Sequence, residues 1–144
     1  MSKLTLQEIS GIMKHIDICM MTTLTASGHL DARPMSNNRD VEYTGDSYFF
    51  SLDDTSAVKE LAVNTEVSLA FIGHHSFINR KSVYIAVEGK GALIKDKAAF
   101  REHWVKDLEM WFKDGVDTPG LTLIHVKAHR IKYWDGWEEG EIRL

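Results

Sequence analysis

Two segments of the chain carry residue types that can bind an anion. The first is Arg33-Pro34-Met35, and the second offers the hydroxyls of Ser51, Thr55 and Ser56 just before an apolar pattern typical of a helix. The start of a helix attracts anions because its first amides lack partners and its dipole end is positive. A guanidinium can add paired hydrogen bonds to a phosphate. A plain helix cap beside a surface arginine explains the same residues, so both interpretations stay open at this point.

The histidines and the cysteine give weaker signals for chemistry. His125 and His129 both lie in the region of the late predicted strands, where side chains four residues apart lie about 13 Å from each other. One zinc ion with bonds of about 2.1 Å cannot reach both side chains. Cys19 lies inside an apolar strand without a basic neighbour, which favours a buried, inert thiol. We therefore predict no metal site and assign no catalytic residue.

Two groups of aromatic residues differ in their pattern. Phe100, Trp104, Leu108 and Trp111 recur at helical spacing, which predicts one helix over 95–112 with these side chains in the core. Trp134 and Trp137 lie among polar residues near the C-terminus. These two tryptophans could be structural, or they could form a dimer contact or a stacking wall.

The elements that position these residues are mainly strands. Thr5 and Glu8 have the spacing of a capping box, which predicts a first helix. A second short helix is expected from Ala57 onward, and Gly89 and Gly91 indicate a bulge in a long strand. Pro34 restricts its own strand to a sheet edge or a bulge. The predicted strands cover residues 18–25, 30–36, 47–52, 67–73, 83–94, 121–128 and 130–134.

Composition limits the class of protein. The chain has 144 residues, which is the length of a single domain over 1–144, and its formal net charge is −4. A mildly acidic chain without a basic run is a poor nucleic-acid or membrane-surface binder. No stretch approaches the length of a membrane span, and no secretion signal is visible. A single cysteine excludes an internal disulfide, so we expect a cytoplasmic location.

Five stretches of the chain together resemble a known superfamily. They read MTTLTASGHLDARPM, SYFFSLDDTSAVKEL, NTEVSLAF, YIAVEGKGAL and TLIHVKAHRIKYWDG, and they cover roughly residues 18 to 136 in this order. The chain resembles the FMN-binding split-barrel proteins related to pyridoxamine 5′-phosphate oxidase, in particular their general stress protein branch. The resemblance implies a mainly β fold with peripheral helices, a six-stranded Greek-key split barrel, and a homodimer with FMN at the subunit interface.

The resemblance also implies which residues hold the phosphate end of FMN. Arg33 matches the arginine that reaches the phosphate and ribityl chain, Ser51 the usual hydroxyl residue after the aromatic strand, and Thr55 the serine of the phosphate loop. The position of the phosphate-binding lysine is Ala57 in this chain. Three alternatives stay open: Lys59 replaces that lysine through a shifted loop, Arg33 and the helix amides hold the phosphate alone, or FMN binds weakly.

The ring end of FMN is implied to contact a second set of residues. The backbone around Pro34 and Met35 matches the segment that lies along the isoalloxazine ring. Tyr84 falls where the oxidase directs a glutamine at the flavin. Trp134 matches a late tryptophan that approaches the ring from the other subunit.

The functional expectation that follows is a stress-related flavoprotein, a small-molecule or flavin oxidoreductase that exchanges electrons with a nicotinamide cofactor or a small oxidant. The C-terminal segment has three glutamates and one arginine, from Glu138 to Arg143. Because this segment would repel a phosphorylated substrate, we do not expect pyridoxamine phosphate oxidase activity. The alternative is a non-catalytic module that binds or senses flavin or heme.

Overall fold

The computed structural model describes residues 3–37 and 41–144. Its helices are α1 (Leu6–Met13), α2 (Ser56–Val63) and α3 (Lys97–His103), followed by 3₁₀ turns at Lys106–Met110 and Gly115–Asp117. Its strands are β1 (Ile18–Leu24), β2 (Leu30–Ser36), β3 (Asp46–Leu52), β4 (Glu66–His74), β5 (Ser82–Ile94), β6 (Leu121–Asp135) and β7 (Glu138–Arg143). None of the helices in the described ranges has the length and hydrophobicity of a membrane span.

The strands form one antiparallel sheet that curls into an open barrel. Their order is β2-β1-β4-β5-β6-β3, and β7 adds to β6 outside this path. Among the described residues β2 pairs only with β1, and β3 pairs only with β6. We call the gap between these two edge strands the split. The mainly β split-barrel prediction is confirmed, but the sheet has seven strands rather than the six that the family resemblance implied.

The β1–β2 hairpin forms as predicted and gives the split one of its walls. Gly28 adopts a φ of +84° in the turn, a conformation that suits glycine. Met21 pairs with Arg33 and Met20 pairs with Pro34. Because side chains alternate across a strand, Arg33 faces the barrel interior while Pro34 faces outward. Pro34 therefore lies on an edge strand, as predicted.

Two of the helices close opposite ends of the barrel. The Thr5–Glu8 capping box is present and starts α1, whose Ile12 packs beside Gly73 of β4. Thr55 caps α2, and Leu61 of this helix packs beside Gly91 of β5. The barrel interior between the two helices is filled by buried side chains, among them Met21, Leu69, Phe71, Ile85, Val87 and Ile131.

A bulge shapes the long β5–β6 ladder. Glu88 pairs with Arg130 and Gly89 pairs with Ala128, so His129 is skipped. The bulge that we predicted near Gly89 is thus confirmed. The prediction of separate strands at 121–128 and 130–134 is wrong, because β6 contains the bulge at His129 and continues over fifteen residues.

The predicted single helix over 95–112 is also wrong. Regular helix ends at His103, and Trp104 and Val105 have extended backbone. This break turns the chain so that Trp104 and Leu108 both pack on the small core around Phe50. Trp104 meets the Phe50 ring edge-on at 5.0 Å, but Trp111 is exposed and does not belong to the core.

Sequence reasoning missed β7. Asp135 pairs with Glu138 across a two-residue turn, in which Gly136 has a φ of +64° and Trp137 is fully exposed. Glycine at the first position of a two-residue loop is a known hairpin signal. The run of glutamates hid the strand, because β7 lies at a sheet edge where charged side chains stay in water.

Candidate functional site

The split is the candidate site because both anion-binding segments of the sequence border it. β2 brings Arg33 to one edge of the split, and β3 ends beside Ser51 on the other. α2 follows β3, and its Glu60 contacts Arg33 across the gap. The site therefore has an end covered by α2 and an end away from that helix.

Arg33 does not present its guanidinium to a ligand. Nη1 donates hydrogen bonds to the Thr23 hydroxyl at 2.7 Å and to the Met21 carbonyl oxygen at 3.3 Å. Nη2 donates to Asp31 at 2.9 Å and to Glu60 at 3.1 Å. The side chains of Arg33 and Glu60 are 16% and 14% exposed. The arginine is therefore bound and neutralised inside the molecule.

Glu60 is held in its charged form. The Thr23 hydroxyl donates a 2.6 Å hydrogen bond to the Glu60 carboxylate. This bond is the largest cause that holds the pKa of Glu60 below its usual range, and Arg33 acts in the same direction. Glu60 thus places a fixed negative charge directly on the guanidinium that was predicted to bind phosphate.

The other predicted phosphate contacts are only partly available. The hydroxyls of Ser51 and Thr55 bind each other at 2.9 Å, and Thr55 donates to the Leu52 carbonyl oxygen at 2.8 Å. Ala57 is buried, whereas Ser56 and Lys59 are exposed on α2. Lys59 therefore does not take the position of the absent lysine, because Ala57 and Lys59 lie on different faces of the helix.

Acidic residues surround this end of the split. Asp53 receives hydrogen bonds from Lys95 at 2.7 and 2.8 Å and from Thr122. These bonds, that of Lys95 first, hold the pKa of Asp53 below its usual range. Asp54 is exposed beside it. In this arrangement the residues do not fit a phosphate dianion, because the cations that would bind it, Arg33 and Lys95, already form ion pairs with carboxylates.

The residues predicted for the ring end lie on the outer face of the barrel. Tyr84 and Trp134 are direct cross-strand partners on β5 and β6, and both are partly exposed. The Lys132 ammonium lies 5.1 Å from the centre of the Trp134 ring. Pro34 shares this outer face at the β2 edge, whereas Met35 points inward and packs against the core. This exposed surface can stack on a planar ring.

A cavity of about 630 Å³ opens at the end of the split away from α2. Its volume lies within the usual range for small-molecule sites. Tyr48 is sandwiched on its β3 wall, with the His103 ring centre at 3.6 Å and the His125 ring centre at 4.6 Å. His125 in turn lies 2.7 Å from Asp46. The lining includes Ile18, Ser36, Asn37, Tyr48, Phe50, His103 and Trp111.

Neither the cysteine nor the histidines form a further reactive centre. Cys19 is buried, and burial raises the pKa of its thiol to about 12. This confirms the prediction of a buried thiol. Within the described part of the chain, no three residues of the His, Cys, Asp or Glu types cluster as metal ligands.

Sequence reasoning missed the partners that decide the character of the site. Thr23 and Glu60 meet Arg33 only because β1 and α2 come together over the barrel end. Tyr48, His103 and His125 come from three separate elements. The one available signal was the alternation of β1, which places Thr23 on the interior face with Met21.

Comparisons with known proteins agree with this fold. A protein related to general stress protein 26 from Clostridium acetobutylicum has a TM-score of 0.80 at 18% identity, covering 96% of this chain and 94% of the other. General stress protein 26 from Bacillus anthracis has a TM-score of 0.75 at 17% identity, covering 96% and 98%. A heme binding protein from Mycobacterium smegmatis has a TM-score of 0.77 at 14% identity, covering 99% and 60%.

A comparison with the sequences of curated proteins finds no match. The family model described as "Pyridoxamine 5′-phosphate oxidase like" matches residues 5–142, which is nearly the whole chain. The chain therefore belongs to the pyridoxamine 5′-phosphate oxidase like family.

Proposed function

We propose that this protein is a homodimeric flavoprotein that binds the isoalloxazine ring of a flavin at the split, between two subunits. The main support for this proposal is the cavity at the end of the split away from α2, because its volume and its aromatic wall suit a planar ring system. The flavin would supply the redox chemistry, and the protein would position it. The protein would then oxidise or reduce a small molecule, with a nicotinamide cofactor as the candidate electron donor.

The outer face of the barrel supports a homodimer. Ile18, Met20, Ile72 and Tyr84 are all exposed there, and Ala70 fills the space between Met20 and β5. A contiguous apolar patch on a sheet face is typical of an interaction surface. A second copy of the chain fits this patch best, since the family resemblance places Trp134 of one subunit near the flavin of the other.

We further propose that the protein lacks pyridoxamine phosphate oxidase activity. The C-terminal arginine, Arg143, lies 2.9 Å from Glu141, and Glu141 also binds Arg130. The segment therefore offers no unpaired arginine to a phosphorylated substrate. We expect no turnover of pyridoxamine 5′-phosphate by the flavin-loaded protein.

The test is a titration of the purified protein with riboflavin and with FMN, followed by flavin fluorescence. Saturation near one flavin per chain is expected with at least one of the two. Trp111→Ala should weaken binding about three- to tenfold, because an aromatic side chain that lines the cavity is lost. Trp137→Ala is the matched control, since this tryptophan is fully exposed in a turn. No saturation with either flavin would refute the flavin assignment.

Turnover is tested separately with the flavin-loaded protein. Oxidation of NADH or NADPH well above the rate with free flavin would support an oxidoreductase. If the bound flavin gives no rate above this background with either donor, the protein is better described as a non-catalytic flavin-binding or sensing module.

Heme is the second candidate ligand, favoured by one observation. His103 lines the cavity and its side chain is 22% exposed, so an imidazole is available to an iron ion from within a pocket large enough for a porphyrin. A heme titration of the wild type and of His103→Ala distinguishes this case. A Soret shift that disappears in the variant would support heme, and its absence in the wild type would dismiss it.

A further inference from the structure

We infer that Glu60 neutralises Arg33 at the α2 end of the split, so that the site binds a flavin without a phosphate in preference to FMN. This inference rests on the proposed flavin site and specifies its ligand. Riboflavin is the flavin of the required chemistry, because it carries the same ring and ribityl chain but no charge at the tail.

The first step of the argument concerns the arginine. Arg33 uses both terminal nitrogens on internal partners, which are Thr23, the Met21 carbonyl, Asp31 and Glu60. To reach a phosphate it would have to leave Glu60 mostly buried without its cation. An unpaired buried charge is strongly unfavourable, so the ion pair competes directly with the ligand.

The second step concerns the charge that remains. Asp31 and Glu60 both form ion pairs with the Arg33 guanidinium, and Asp53 forms an ion pair with Lys95. Ala57 contributes no cation where the related proteins are expected to have a lysine, and Lys59 is exposed on another face of α2. A phosphate dianion would therefore meet a site in which carboxylates match or exceed the nearby cations.

The third step concerns the neutral groups. Ser51, Thr55 and Ser56 supply hydroxyls at the same end of the split, and Ser56 is exposed. Hydroxyls both donate and accept hydrogen bonds, so they suit the sugar-like hydroxyls of a ribityl chain. The site thus retains polar groups for an uncharged tail, whereas carboxylates already bind the two cations, Arg33 and Lys95, that the described residues place there.

Parallel titrations of the wild-type protein with riboflavin and FMN give the primary test. We expect riboflavin to bind at least as tightly as FMN, whereas a working phosphate clamp would favour FMN by roughly ten- to a hundredfold. FMN binding tenfold tighter than riboflavin would overturn the inference and leave the flavin site standing. If neither flavin binds, the proposed function fails and the preference fails with it.

Glu60→Gln tests the cause of the preference. The variant should shift the ratio of affinities toward FMN by roughly tenfold, because it frees Arg33 from one of its carboxylates. Riboflavin binding should stay within about twofold, because the changed charge does not touch the ring. The matched control is Glu66→Gln, which removes the same charge from the exposed Glu66–Lys90 pair.

Circular dichroism and thermal unfolding establish that each variant is folded before it is titrated. The wild-type comparison of the two flavins depends on neither variant. An unchanged FMN-to-riboflavin ratio in folded Glu60→Gln, or a ratio that shifts equally in Glu66→Gln, would refute the role of Glu60.

Discussion

At the scale of single residues, one arginine decides how the site is understood. In sequence, Arg33 matches a phosphate ligand, and its residue type supports that role. In the structure its hydrogen bonds go to Thr23, Asp31 and Glu60 instead. A guanidinium satisfied by internal acceptors stabilises the fold, and it becomes a ligand only when those acceptors release it.

The Glu60–Arg33 pair predicts a specific pH dependence of stability. The pKa of Glu60 is lower in the folded protein than in the unfolded chain. Its stabilising effect is therefore complete above the unfolded pKa of about 4.3 and is lost as the pH falls through the folded pKa. Glu60→Gln should cost about 1.5–3 kcal/mol at pH 7.

Urea unfolding at pH 7 and near pH 3 measures this effect. The difference in unfolding free energy between wild type and Glu60→Gln should shrink at the lower pH, because the stabilisation declines once the pH falls below the unfolded pKa toward the lower pKa of the folded state. A difference that is the same at both pH values would show that the carboxylate charge does not stabilise the fold.

At the scale of elements, close contacts between the backbones of neighbouring strands explain the shape of the barrel better than the hydrophobic pattern of the sequence does. The β5–β6 ladder is bent by the bulge at Gly89, whose backbone lies against Lys127. The predicted long helix over 95–112 breaks at Trp104 and Val105 because two short segments both reach the Phe50 core. The helical spacing correctly indicated that Phe100, Trp104 and Leu108 pack in a core. It wrongly indicated that they lie on one continuous helix.

Gly89→Ala is expected to destabilise the protein by about 1–3 kcal/mol or more. A β-carbon at this position would lie too close to the Lys127 carbonyl oxygen, and backbone atoms cannot move aside as a flexible side chain can. Chemical denaturation of the variant measures the change in unfolding free energy.

Gly11→Ala is the matched control for this prediction. Gly11 lies in α1, and a β-carbon there would meet no atom within 4 Å. Alanine should therefore stabilise the helix by about 0.5–1 kcal/mol. If Gly89→Ala were as stable as the wild type, the close approach between β5 and β6 would not be a constraint on the fold.

At the scale of the whole molecule, the two sides of the sheet have different roles. The interior face is filled by the core, whereas the outer face carries exposed apolar side chains from β1, β4 and β5. Pro34, Tyr84 and Trp134, which the family resemblance assigns to the ring, lie on this outer face and not in the cavity of their own subunit. A dimer through this face would therefore assemble the ring end of the site from both subunits.

Ile72→Lys is expected to dissociate the proposed dimer. Ile72 is 67% exposed on the outer face, so the substitution leaves the core intact and places an unpaired charge in the interface. The dissociation constant should rise by at least about tenfold, as measured by light scattering over a range of concentrations.

Val63→Lys is the matched control for the dimer, since Val63 is 77% exposed on α2 rather than on the sheet face. Its solution mass should equal that of the wild type. A wild-type protein that is monomeric at all concentrations tested would refute the homodimer.

The sequence by itself determined the local structure and the family. Capping at Thr5 and Thr55, the turn at Gly28 and the edge position of Pro34 all depend on neighbouring residues, and each is present as predicted. The order of short stretches was enough to indicate the split barrel. These features could be predicted because the interactions that produce them lie within a few residues of chain.

Only the tertiary structure decided the chemistry of the site. Glu60 lies 27 residues from Arg33 in sequence, and Asp46 lies 79 residues from His125. Whether an arginine is a free ligand or a neutralised structural residue depends on which carboxylate the fold brings to it. No local pattern contains that information, because hydrogen bonds between distant elements form only when the barrel and its helices pack together.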